Sequence, residues 1–135
     1  MKTFFFFLIV VISGSTAFAQ ERWTVALNSK VLLTAKTEDT SANVVAVTDL
    51  KKGALIVTYV PGQVKGERKR RLMVYDTNDN ELYSKEAFSI SVPVASLKKW
   101  KFNSSQLKIY TLPVLGEAGA NVRLRRVHLC TINFK

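Results

Sequence analysis

The stretch NVVAVTDLKKGALIVTYVPG, residues 43–62, decides the class of fold. It contains two runs rich in β-branched residues, Asn43 to Thr48 and Ala54 to Val60. Such side chains lose little in a pleated strand, and apolar residues recurring at every second position place one face on a core. Lys51-Lys52-Gly53 punctuates the two runs, and Pro61-Gly62 closes the second with a turn dipeptide. The spacing predicts a hairpin of two neighbouring strands.

The same period runs outward in both directions. Trp23, Val25 and Leu27 alternate with polar or small residues, and Asn28-Ser29 is a tight turn into Val31–Thr34. Downstream, Arg71–Tyr75 reads as a strand closed by Asp76-Thr77-Asn78-Asp79-Asn80, whose side chains bond their own backbone and tolerate left-handed conformations. Glu81–Ser84, Phe88–Val92 and Leu107–Leu112 continue the pattern, and residues 113–119 form a loop. Asn121–Phe134 is the last and longest strand. Only Pro93–Trp100 has helical spacing, with Val94, Leu97 and Trp100 three apart, and it reads as a single helical turn. Eight or nine short strands predict an all-β fold, an antiparallel β-sandwich of immunoglobulin-like architecture. The Cys…Trp…Cys framework is absent, so the likeness is one of architecture and carries no function.

The last strand changes faces. Val122 and Leu124 share one parity, Val127 and Leu129 the other, and Ile132 and Phe134 return to the first. A strand cannot exchange faces without an extra residue, which predicts a β-bulge near Arg125-Arg126 or a bend between two sheets.

The first nineteen residues read as a signal peptide. Lys2 gives a positive start, Phe4–Ile12 an apolar run, and Ala17-Phe18-Ala19 an A-x-A cleavage site before Gln20. The expected mature chain, residues 20–135, is one domain with no transmembrane segment. It is expected to be secreted or periplasmic. The chain carries 20 Lys and Arg against 10 Asp and Glu, and loss of Lys2 lowers the formal charge from +10 to +9. Such a charge attracts anionic surfaces. Cys130 is the sole cysteine, so an exported domain must rest on its apolar core, a habit that points to a bacterial source. No cysteine follows the cleavage site to carry a lipid, and the Asn103-Ser104-Ser105 sequon reads as chance.

Several chemistries lack their residues. His128 and Cys130 share one strand face, but no further His or Cys exists to complete a zinc site. Cys130 reads as a buried, unreactive thiol. Asp76, Asn78 and Asn80 are spaced like the start of a calcium loop without its glycine, and read as a turn. A serine or thiol nucleophile has only His128 for a base, the carboxylates are scattered, and no glycine-rich phosphate loop occurs. The chain is read as a non-enzyme without metal or cofactor.

Basic residues cluster at Lys65, Arg68, Lys69, Arg70 and Arg71; at Lys98, Lys99 and Lys101 around Trp100; and at Arg123, Arg125 and Arg126. Arginine suits carboxylate or phosphate, so Arg68, Arg70, Arg71, Arg123, Arg125 and Arg126 are the candidates for an anionic partner, with Trp100 the candidate stacking residue. Export disfavours nucleic acid. The reading is an exported, non-catalytic domain that binds a protein or an anionic envelope component. The alternative is a carbohydrate-binding or enzyme-accessory module using Trp23, Trp100 and the tyrosines, and a small hydrolase stands third.

Overall fold

A computed structural model describes residues 21–62, 69–114 and 125–135. Among these residues the chain forms nine strands and one helix. In order they are β1 (Arg22–Leu27), β2 (Lys30–Ala35), β3 (Val44–Val47), β4 (Ala54–Val60), β5 (Arg70–Tyr75), β6 (Glu81–Glu86), β7 (Ser89–Pro93), α1 (Val94–Lys101), β8 (Gln106–Pro113) and β9 (Val127–Phe134). One sheet has the order β2-β1-β4-β7 and the other β3-β9-β8-β5-β6. The inward faces meet in one core, with Trp23, Leu55, Val57, Tyr59 and Ile90 from the first sheet and Leu72, Leu107, Ile109, Leu129 and Ile132 from the second. The all-β sandwich predicted from the alternation is the fold observed.

The hairpin expected at residues 43–60 does not form. β3 lies in the five-stranded sheet, parallel to β9, with Val45 opposite Ile132. β4 lies in the other sheet between β1 and β7, with Val57 opposite both Val25 and Ile90. Residues 48–53 therefore carry the chain across the core. Val45 and Val47 enter the core from one side, and Leu55, Val57 and Tyr59 from the other. Each strand buries the alternate residues that a hairpin would bury, so the local pattern is the same in either arrangement. The β3–β9 pair is also a parallel departure from an otherwise antiparallel sandwich.

The last strand changes faces at Leu129, before Ile132 and Phe134; the change expected near Arg125-Arg126 turns on Val122 and Leu124, which lie outside the described residues. Ile109 pairs with Cys130 and Tyr110 with His128, so Leu129 is the extra residue. Arg125 and Arg126 precede the strand. A bulge leaves a backbone group without a ladder partner. Here the indole N–H of Trp23 crosses the core and donates to the Leu129 carbonyl at 2.8 Å. That bond joins the two sheets, and Trp23, 1% exposed, also stacks on its neighbour Tyr59 within the four-stranded sheet, with centroids 6.3 Å apart.

The helix is longer than the single turn expected, at eight residues. Val94 and Leu97 are buried, and Lys98, Lys99 and Lys101 occupy the last turn, where cations complement the negative end of the helix dipole. Its first amide, Val94 N–H, donates to the Gly53 carbonyl at 2.9 Å. Gly53 has φ +106, a conformation open to glycine. The Asn28 amide grips the same turn, donating to the Lys52 carbonyl and accepting from Ala54 N–H at 3.1 Å. The β1–β2 turn, the 51–53 turn and the start of α1 are thereby one unit.

Candidate functional site

That unit builds the wall of an open groove. Residues 48–51 form one side, and the end of α1 forms the other with Lys98, Lys101 and Phe102. The cavity measures about 650 Å3. Lys98 and Lys101 are three apart on the helix and so share a face. Lys51 joins them from the opposite wall, bringing together two basic segments that lie far apart in sequence. One acid, Asp49, lines the groove, and its carboxylate is 3.6 Å from Lys51 Nζ on a well-solvated surface. Such an exposed pair contributes little. Beside them Phe102 follows the helix and is 90% exposed, the most exposed of the large apolar side chains among the described residues. Leu50 lines the groove and packs against the core.

Phe102 is the residue sequence reasoning missed. Its signal is the end of the helix at Lys101, which takes the next side chain off the buried Val94–Leu97 face. Trp100, the expected stacking residue, is instead half-buried against the core. Trp23 and Tyr59 are fully buried, so neither offers a platform for a sugar.

The described arginines among the docking candidates have partners within the chain, Arg70 in the interior and Arg125 and Arg126 at the surface. Arg70 is 7% exposed, lies over the Tyr59 ring at 4.3 Å, and donates to Thr111 Oγ1 at 3.5 Å. It opens β5 and points at the core, which corrects its assignment to a binding surface. Arg71 points the other way and donates to Ser84 Oγ on β6 at 2.9 Å. Arg125 is paired with Glu38 at 2.8 Å. Arg126 contacts both oxygens of Asp79, at 3.0 and 3.5 Å, and covers the rings of Tyr75 and Tyr110 at 4.8 and 4.4 Å. Its hydrogen bond to Asp79 holds the guanidinium above its ordinary pKa. A planar fork between a carboxylate and two rings is a structural clamp. Arg68, Arg123 and Lys65 lie outside the described residues.

The remaining sequence candidates have local roles. The Asp76 carboxylate accepts from the amides of Asn78 and Asn80, each at 2.9 Å, and these bonds hold its pKa low. This is the predicted turn. Cys130 is fully buried, and burial pushes its thiol up to about 12. His128 is 3% exposed, and burial holds its pKa down, with nearby Lys108 acting in the same direction and Glu38 against both.

Comparison with protein-family models, with characterised proteins and with solved structures gives no match. Among the described residues no helix is long and apolar enough to cross a membrane.

Proposed function

We propose that the protein is an exported, non-catalytic sandwich domain that attaches peripherally to an anionic envelope surface through the Lys51–Lys98–Lys101 groove and Phe102. The single observation that carries this reading is a nearly fully exposed phenylalanine set among lysines with one acid between them. Lysine is a mobile, strongly hydrated point charge, whereas Arg70 is buried over Tyr59, Arg71 donates to Ser84, and Arg126 lies between Asp79 and two rings. Mobile cations around one protruding ring suit a fluid layer of anionic headgroups better than a fixed carboxylate. Each lysine near such a surface contributes about 1 kcal/mol, and burying one phenylalanine about 1.5–3 kcal/mol. Attachment is therefore reversible. The strand order also supports an immunoglobulin-type reading, with β1, β4 and β7 standing as strands A, B and E and β5, β8 and β9 as C, F and G. That likeness concerns architecture alone.

The test is co-sedimentation of the mature chain with vesicles containing phosphatidylglycerol. Phe102→Ala should weaken binding about tenfold or more. Lys98→Gln with Lys101→Gln should weaken it further, and Arg125→Gln with Arg126→Gln much less. Equal losses from the two double variants would show that only net charge acts and would end the proposal. Binding to an acidic peptide without vesicle binding would replace the lipid surface by a protein partner.

A further inference from the structure

The outer face of the four-stranded sheet carries two uncharged ranks of side chains. Thr24 and Ala26 alternate with Trp23 and Val25, which fill the core, so they point outward. Thr24 stands opposite Thr34 and Thr58, and Thr58 opposite Ser89. That rank is all hydroxyls, with Thr58 Oγ1 and Ser89 Oγ 3.3 Å apart. Ala26 stands opposite Val31 and Ile56, and Ile56 opposite Ser91. A bulge at Leu32 turns Val31 to this side, where it is 59% exposed, and Ile56 is 40% exposed. These are two of the four exposed large apolar side chains among the described residues.

Charge limits what can cover this face. The chain has a formal charge of +10, or +9 without Lys2. The outer face of the other sheet carries Arg71 and Lys108, each beside core residues of opposite parity. Two copies of such a chain repel wherever their cations meet. In these two ranks none meets. Arg22 stands at the exposed margin opposite Val60, where its head stays in water. An anionic partner finds no cation in the ranks to recognise.

The order of sizes selects a second copy of the chain. Across the sheet the apolar rank reads Val31, Ala26, Ile56, Ser91, large and small in turn. A two-fold axis parallel to the strands, between β1 and β4, sets Ile56 over Ala26 of the second copy and Val31 over its Ser91. Every large side chain then meets a small one, as interdigitating faces require. The hydroxyl rank meets itself, Thr24 over Thr58 and Thr34 over Ser89. An axis across the strands would set Ile56 on Ile56 and leave Ala26 over a gap. We infer that this face is an isologous dimer interface, with two four-stranded sheets packed face to face. Its plan is roughly 19 by 20 Å, from four strands about 4.8 Å apart and the six residues of β1 at about 3.3 Å each. That is the small end of specific interfaces and sets a weak dimer. With the axis along the strands, both copies present the same sheet end, where Ala54 pairs with Pro93 beside the 51–53 turn and α1. The dimer does not depend on the proposed attachment, but it would turn two lysine grooves toward one surface.

Sedimentation velocity of the mature chain from ~10 μM to ~1 mM is the test. The expected result is a reversible monomer–dimer equilibrium, which salt strengthens by screening the shared positive charge. Ile56→Lys and Ser91→Glu, both at exposed positions, should each weaken the dimer about tenfold or more, because each buries a charge against the other copy. Circular dichroism checks that both variants fold, and Ser91, on an edge strand, is the second variant should Ile56→Lys unfold. Phe102→Ala should leave the dimer unchanged. A monomer throughout the range would overturn the inference. Opposite effects of the two charge variants would do the same, by reducing association to net charge. Loss of the dimer in Phe102→Ala would move the contact to the groove, and growth beyond a dimer would move it to open strand edges. Either result would overturn the inference.

Discussion

Trp23→Phe keeps an aromatic ring in the core but deletes the N–H that serves the Leu129 carbonyl. That carbonyl belongs to the bulge residue, so a buried acceptor is left bare. The expected loss is about 1–3 kcal/mol, read as a lower urea midpoint at unchanged slope. At the same scale, His128 makes stability depend on pH. Burial lowers its folded pKa, so the unfolded chain takes up the proton first as pH falls. Stability is therefore full above the unfolded histidine value of about 6.5 and declines as pH drops from there toward the lower folded value. Thermal midpoints across that window should fall for the wild type and stay flatter for His128→Gln. An equal slope in both would assign the acid sensitivity to other groups. Individual residues were legible where burial follows from type, as with Cys130 and the tryptophan on β1. The fates of Arg70, Arg125 and Arg126 were not, because sequence shows a cation but not the ring or carboxylate that faces it.

The elements are joined through the 51–53 turn. A Cβ on Gly53 would run into the Asn28 amide, and its φ of +106 is strained for any L side chain. Gly53→Ala should therefore destabilise the fold by about 1–3 kcal/mol. Because this turn positions Lys51 and caps α1 through Val94, the same variant should also weaken vesicle binding beyond what unfolding explains. Circular dichroism and co-sedimentation on the folded fraction separate the two effects. Strand positions were readable from alternation, and the turns from their Asn, Asp, Gly and Pro residues. Pairing was not. Residues 48–53 have the length and composition of a hairpin connection, yet they cross between sheets, because β3 finds β9 and β4 finds β1 and β7.

For the whole molecule, the leader reading predicts a mature chain beginning at Gln20, which intact mass of the exported protein would check; an uncleaved chain in the membrane fraction would refute it. The positive charge would then steer the domain toward anionic surfaces at low ionic strength. By itself the sequence determined the all-β class, the approximate count of strands, most turns and the net charge. Each of these follows from composition or from side chains two positions apart. Only the tertiary structure decided which sheet each strand joins, where the bulge falls and which cations remain available. Those outcomes depend on groups distant in the chain: Trp23 with Leu129, Arg126 with Asp79, Lys51 with Lys98. Local period reports that a face is buried, whereas the neighbour that buries it is chosen by packing across the whole core.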